Sequence, residues 1–158
     1  MKRRLHVLAA ASVLAASGAA LADRLPLPAD TPAAYRSECG SCHLAFPPQL
    51  LSAAEWRRLL AGLDRHFGTD ASLDAGDRAA VGRFLEKSAG SRAGDGGDPP
   101  RLTRGRWFQR EHREVPARLW QDPRVKSAAN CEACHGGAAD GRYSEHDLAL
   151  PELRRRER

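Results

Sequence analysis

A five-residue pattern, Cys-x-x-Cys-His, occurs twice in this chain and limits its possible folds more than any other feature. The copies are Cys39-Gly40-Ser41-Cys42-His43 and Cys131-Glu132-Ala133-Cys134-His135. This spacing lets two thiols add to the two vinyl groups of a haem, and it places the following histidine beneath the iron. The chain has no other cysteine. The sequence therefore predicts two covalently bound haem c groups, attached through Cys39, Cys42, Cys131 and Cys134.

Two other uses of paired cysteines are alternatives to haem attachment. A thioredoxin-like redox site needs a βαβ pattern around its Cys-x-x-Cys, and the sequence has no such pattern. A zinc site made from two Cys-x-x-Cys pairs usually has them about 15–20 residues apart. Here the pairs are much farther apart and each has its own histidine, so haem attachment is the preferred interpretation.

The first 22 residues have the pattern of an export signal. Basic residues at Lys2-Arg3-Arg4 precede an apolar run, Leu5 to Ala16, and Ala20-Leu21-Ala22 is an A-x-A cleavage site. The run is short for a bilayer span of about 20 residues. We therefore expect cleavage and export to the periplasm, with an uncleaved membrane anchor as the alternative. Bacteria attach haem covalently outside the cytoplasmic membrane, which agrees with export.

The net charge gives no support for nucleic-acid binding. The formal charge is +5, and subtracting the three basic residues of the predicted signal leaves +2. We therefore expect no DNA or other nucleic acid as a partner. Cleavage would leave 136 of the 158 residues, which is few for a stable apolar core. Two buried haems would enlarge that core.

The mature chain is predicted to be all-α, with little or no β structure, because no alternating apolar pattern stands out. Residues 23–89 would form a first haem-binding lobe and residues 90–102 a flexible linker rich in glycine and proline. Residues 103–158 would form a second lobe with a basic C-terminal tail. The predicted fold class is thus a small cytochrome c organised by two haems.

The distal ligands of the irons can be narrowed by elimination. Methionine is the common distal ligand of small cytochromes c, but the only methionine is Met1, which the signal peptide would remove. With His43 and His135 as proximal ligands, three histidines remain for two distal positions. They are His66, His112 and His146.

His66 is the candidate for the first haem. A capping box, Ser52 with Glu55, predicts the start of a helix, and its apolar stripe continues to His66. Gly68 is predicted to end this helix. A histidine on an apolar face is often an ordinary core residue, but a haem without methionine needs a partner nearby.

His112 is the candidate for the second haem, since Thr103 is predicted to cap a helix that also carries Phe108. His146 lies in a polar stretch and is the alternative ligand. Lys87 and Lys126 are remote possibilities. Two histidines per iron would give low-spin haems of low potential that are closed to small ligands. Such a protein carries single electrons and is not an enzyme. A dihaem peroxidase or reductase, or a haem sensor, would instead need one open iron.

Several stretches around the haem motifs resemble the bacterial dihaem cytochrome c family, DHC. They are the segment from Tyr35 to Pro48, Trp56, Asp64-Arg65-His66-Phe67-Gly68, Trp107-Phe108, Arg110-Glu111-His112 and the segment from Asn130 to His135. The resemblance implies His43 and His135 as proximal ligands and His66 and His112 as distal ones. It also implies a periplasmic electron carrier. Its donor would be a membrane b-type cytochrome, and a small oxygen-binding c-type haem protein is a possible acceptor.

Overall fold

The computed structural model describes residues 24–91 and 94–154, and within these ranges the fold is helical. The helices there are α1 (Ala33–Glu38), α2 (Ala53–Ala61), α3 (Ala75–Ser88), α4 (Arg106–Glu111), α5 (Ala117–Trp120) and α6 (Pro151–Arg154). Pairing between extended segments is limited, in these same residues, to isolated bridges. The all-α prediction is therefore confirmed.

Short 3-10 turns connect the helices in both halves of the chain. They are Pro48–Leu50, Leu63–Arg65, Leu102–Arg104, Cys131–Ala133, Ala138–Asp140 and Glu145–Asp147. No helix in the described part of the chain is both long and apolar enough to cross a bilayer. The predicted signal peptide, residues 1–22, lies outside the described residues, and so does the end of the basic tail.

The two longest helices begin at side-chain caps. The Ser52 hydroxyl accepts a hydrogen bond from the Glu55 backbone N–H, and the Glu55 carboxylate accepts one from the Ser52 N–H at 2.9 Å. The predicted capping box is therefore confirmed at the start of α2. The Asp74 carboxylate accepts from the Asp77 N–H at 2.9 Å and caps α3. Both caps satisfy backbone donors that a helix start otherwise leaves unpaired.

The predicted extension of α2 to Gly68 is wrong. The helix ends at Ala61, and a 3-10 turn over Leu63–Arg65 follows. Gly62 lies at the break, with φ −118° and ψ 27°, and glycine is a poor helix former because it loses the most backbone entropy. His66 therefore lies beyond the helix, at the end of the 3-10 turn.

The helix that carries Phe108 also begins later than predicted. Thr103 lies in the 3-10 turn Leu102–Arg104, which closes with a hydrogen bond from the Gly105 N–H to the Leu102 carbonyl at 3.1 Å. Gly105 is the residue before α4, so Thr103 does not cap that helix. His112 is the first residue after α4.

A compact apolar core joins the first three helices. Its buried side chains are Tyr35, Leu51, Trp56, Val81, Phe84 and Leu85. The Tyr35 and Phe84 rings pack with centroids 5.1 Å apart, and the Trp56 indole donates to the Pro48 carbonyl at 2.7 Å. The Tyr35 hydroxyl donates to the Phe46 carbonyl. The core therefore holds the loop that follows the first Cys-x-x-Cys-His motif.

We expect Leu85→Ala to destabilise the protein by about 2–5 kcal/mol, because it opens a cavity at a side chain that is only 1% exposed. Chemical denaturation followed by circular dichroism measures this loss. Arg83→Ala is the control, since Arg83 is an exposed residue of the same helix. It should change stability by less than about 0.5 kcal/mol. Equal stability of the two variants would contradict this assignment of the core.

Contacts also join segments that the sequence assigned to different units. The Leu25 N–H donates to the Gly141 carbonyl at 2.8 Å, beside a bridge between Arg24 and Arg142. In the linker region, the Gly90 N–H donates to the Leu51 carbonyl at 2.9 Å. The division into two lobes and a flexible linker stays a prediction.

Candidate functional site

The first motif turns sharply directly after α1. Cys39 is the residue that follows this helix, and its N–H donates to the Tyr35 carbonyl at 3.3 Å. A Cβ at Gly40 would overlap the Arg36 carbonyl oxygen, so only glycine fits here. The Ser41 hydroxyl donates to the Glu38 carbonyl at 2.9 Å. These contacts form the turn that carries both thiols.

The structure brings His43 of this motif next to His66. Their ring centroids are 6.2 Å apart, and the ring planes make an angle of 34°. His43 Nδ1 lies 2.7 Å from the Leu44 carbonyl. A carbonyl can only accept, so Nδ1 donates and the neutral ring keeps its Nε2 lone pair for a metal. The Phe46 ring stacks on His43 at 4.7 Å.

His66 is held by a tight turn and not by a helix. Phe67 and Gly68 both have positive φ, 50° and 98°, and the Thr69 N–H donates to the His66 carbonyl at 3.0 Å. Positive φ at both central residues is the type I′ pattern. His66 Nδ1 is buried without a hydrogen-bond partner among the described residues. Burial, followed by the charges of His43 and Arg101, lowers the pKa of His66, so its ring is neutral and able to bind a metal at neutral pH.

The second motif is built on a 3-10 turn. The turn spans Cys131–Ala133, and the His135 N–H donates to the Cys131 carbonyl at 2.8 Å. The Cys134 carbonyl accepts from the Ala149 N–H at 2.7 Å, and His135 bridges to Leu148. The segment that follows this motif therefore folds back onto it.

The structure places His112, the predicted ligand, next to His135. Their ring centroids are 6.2 Å apart, with planes at 87°. His112 Nδ1 donates to the Phe108 carbonyl at 2.9 Å and leaves Nε2 available, while the Phe108 ring stacks on it at 3.9 Å. Burial lowers the pKa of His112, which favours the neutral ring. The alternative, His146, is exposed, and its N–H donates to the Ser144 hydroxyl at 3.2 Å.

The two lysines kept as remote ligand candidates are exposed. Lys87 pairs with the Asp30 carboxylate at 2.6 Å. Lys126 has φ 63° in a loop. The ring contacts that form the two histidine pairs involve neither lysine.

Three neighbours of the histidine pairs had no signal in the sequence. The Tyr143 ring lies 5.6 Å from His135, and the Trp120 ring lies 5.9 Å from His112. The Arg101 guanidinium lies over Phe67. All three contacts join residues eight or more positions apart, so no local periodicity could have shown them.

The first cysteine of each motif does not resemble a reactive redox thiol. All four cysteines are free of disulfide bonds in the structure. Burial raises the pKa of both Cys39 and Cys131 to about 11. A nucleophilic Cys-x-x-Cys thiol needs a lowered pKa, because the thiolate is the reactive form. Thioether formation would replace these two partly buried, ionisable thiols by neutral groups.

A cavity of about 330 Å³ lies beside His135. Its volume falls within the range of ligand pockets, about 300–1,000 Å³. Both signs of charge line it, together with apolar side chains, and the residues include Arg110, Arg113, Glu111, Glu145 and Leu148. His135 therefore borders a space that can take part of a large ligand.

Comparison with known protein families identifies the kind of protein that contains these two histidine pairs. The family model for dihaem cytochrome c, DHC, matches residues 35–143, a range that includes both motifs and both histidine pairs. The chain belongs to the dihaem cytochrome c family. It is accordingly an electron-transfer cytochrome that carries two haem groups.

Solved structures of dihaem cytochromes c are similar to this chain. DHC purified from Rhodobacter sphaeroides is 39% identical with a TM-score of 0.63, and the match covers 72% of this chain and 97% of that one. The sb-DHC of Shewanella baltica OS155 is 38% identical with a TM-score of 0.67, covering 75% and 92%. A second Rhodobacter sphaeroides diheme cytochrome c is 37% identical with a TM-score of 0.64, covering 72% and 98%. None of the curated proteins matches the chain.

The residues of this dihaem cytochrome fit the groups that the family implies. Two imidazoles on opposite sides of one metal ion, each with a metal–nitrogen distance of about 2 Å, have ring centroids about 6 Å apart. Both observed pairs have that separation, 6.2 Å. The buried, unpartnered Nδ1 of His66 also suits a ring that is anchored through its other nitrogen. Each histidine pair is thus spaced to hold one iron.

Proposed function

We propose that this dihaem cytochrome carries single electrons through two covalently attached, low-spin haems, each ligated by two histidines. The observation that carries the proposal is the pairing of each motif histidine with a second histidine ring at 6.2 Å. Cys39, Cys42, Cys131 and Cys134 would form the thioether bonds. His43 and His135 would be the proximal ligands, with His66 and His112 as the distal ones.

The protein's own residues support electron transfer in which no covalent bond is made or broken. When bound, each haem supplies a one-electron couple between ferric and ferrous iron. Two histidines holding each haem would leave no position for a substrate, so we propose no catalytic activity. Hydrogen bonds from His43 and His112 to backbone carbonyls fix both rings. Phe46 and Phe108 stack on these rings and help to hold them in place.

The ring angles predict two different electron paramagnetic resonance (EPR) signals from the oxidised protein. Nearly aligned imidazole planes separate the energies of two iron d orbitals and give a rhombic low-spin signal, whereas perpendicular planes leave them nearly equal and give a signal with a much larger maximum g value. The first pair makes an angle of 34° and the second 87°. We therefore expect one signal of each kind in equal amounts. Two identical low-spin signals would contradict the two different ring angles, and a high-spin signal would contradict the two ligand pairs.

We also propose a cellular place and partners for this carrier. The protein would be exported to the periplasm after cleavage of residues 1–22, whose pattern is that of a signal peptide. Its electron donor would be a membrane b-type cytochrome. Its acceptor would be a soluble protein, such as a small oxygen-binding c-type haem protein. The resemblance of the motif segments to the DHC family supports these partners.

Stopped-flow spectroscopy tests the partner proposal. The oxidised protein is mixed with membrane vesicles that contain a reduced b-type cytochrome, and its reduced form is mixed with an oxygen-binding c-type haem protein. We expect fast transfer in both steps, slowed by salt if charged surfaces guide the encounter. Vesicles from cells that lack the b-type cytochrome are the control. Equal rates with both vesicle preparations would contradict the proposed donor.

A further inference from the structure

An arginine lies close to the first histidine pair without belonging to it. The Arg101 guanidinium carbon is 4.0 Å from the centroid of the Phe67 ring, and that ring is 4.7 Å from the His66 ring. These two distances in series keep Arg101 within about 10 Å of His66, one Debye length at 0.1 M salt. No carboxylate of the described residues forms an ion pair with Arg101. Its positive charge therefore acts on the pair His43 and His66, which is called the first centre below.

The segment that carries Arg101 is fixed to the first core. The Glu55 carboxylate is 2% exposed and accepts hydrogen bonds from Ser52 and from the Gly96 N–H, the latter at 3.2 Å. The Gly96 carbonyl in turn accepts from the Arg101 N–H at 2.9 Å. A Cβ at Gly96 would come within 2.9 Å of the Arg101 carbonyl oxygen, so only glycine allows this approach. Arg101 thus has a defined place relative to α2.

The turn that Arg101 covers has an unfavourable backbone conformation. Phe67 has φ 50°, in the left-handed region that residues with a side chain rarely adopt. Phe67 is also 41% exposed, so few apolar contacts hold it. A guanidinium over an aromatic face is attractive because the face of the ring is negative. Arg101 therefore stabilises the turn that presents His66.

We propose that Arg101 is a positioning residue of the first centre, which holds Phe67 against His66 and raises the reduction potential of the iron that His66 would ligate. This inference rests on the proposed function. Ferric iron carries one more positive charge than ferrous iron, so a nearby cation disfavours the oxidised state. Arg101 should act on the first centre only, because its contact is with the His66 turn.

Redox titration of the purified holoprotein tests the proposal. The low-spin signal that remains in a His112→Ala variant identifies the first haem. We expect Arg101→Ala to lower the potential of that haem, so that its ratio of oxidised to reduced form at a fixed applied potential rises about threefold, the size of an exposed charge interaction. Arg101→Lys keeps the positive charge, so the reduction potential of the first haem should stay close to that of the native protein. Arg83→Ala, which removes an exposed arginine from α3, should change the reduction potential of neither haem.

Salt separates an electrostatic role from a structural one. The difference between the native protein and Arg101→Ala should shrink as ionic strength rises, because an exposed charge is screened. Unchanged potentials in Arg101→Ala, an equal shift of both haems, or equal effects of Ala and Lys at position 101 would overturn the proposal. A protein with fewer than two covalent haems would instead overturn the proposed function, and haem content is measured before each titration.

Discussion

The His112→Ala variant is expected to bind carbon monoxide at one of its two haems. Removing the distal ring would leave the second iron with His135 alone, and a five-coordinate haem is high-spin and open to small ligands. About half of the haem absorbance should therefore respond to carbon monoxide after reduction, while the first haem stays low-spin. The effect should be large, because the His112 ring lies beside the His135 ring, with centroids 6.2 Å apart.

His146→Ala is the matched control for this variant. His146 was the alternative ligand on sequence grounds, but it is an exposed residue, whereas His112 packs against Phe108 and Trp120. The control should stay fully low-spin and unreactive to carbon monoxide. The opposite result, a low-spin His112→Ala and a reactive His146→Ala, would show that His146 is the ligand.

The double variant Cys131→Ala/Cys134→Ala is expected to retain a single covalent haem. Without thiols, the second motif has nothing that can bond to the vinyl groups. Intact-protein mass spectrometry should show the loss of one haem mass, and in-gel haem staining should fall to about half. The described part of the chain from residue 103 onward has few buried apolar side chains, mainly Phe108, Leu119, Val125 and Leu150. We therefore also expect this part of the double variant to lose helical structure.

A control within the same motif separates attachment from folding. Glu132→Ala changes an exposed residue between the two cysteines and should leave both haem masses in place. The equivalent double variant of Cys39 and Cys42 should lose the other haem. A Cys131/Cys134 double variant that keeps two covalent haem masses would contradict attachment at the second motif.

Local chemistry in the sequence was enough to select the candidate site residues and to predict much of the helical fold. The Cys-x-x-Cys-His motif is only five residues long. The Ser52–Glu55 capping box acts over four, and both its hydrogen bonds are present. The absence of methionine after Met1 left histidine as the main candidate type of distal ligand, with lysine as a remote one. The structure then placed His66 and His112 each beside a motif histidine, whereas elimination alone had left His146 open.

Features that depend on distant parts of the chain could not be predicted in this way. The periodicity that pointed to His66 ran through Gly62, where the helix breaks, so the predicted helix was wrong, although His66 still lies beside His43. The contact of Arg101 with Phe67 joins segments 34 positions apart. The hydrogen bond between Leu25 and Gly141 spans most of the described chain. Such contacts depend on tertiary packing, and a single sequence carries no local signal for them.

The absorption spectrum of the reduced native protein, before and after addition of carbon monoxide, tests the central claim most directly. That claim is that His66 and His112 close both irons. It predicts two low-spin haems whose spectrum does not change with carbon monoxide. A carbon monoxide-induced shift of the haem bands in the native protein would reveal an open iron and contradict the assignment of a distal histidine to both haems.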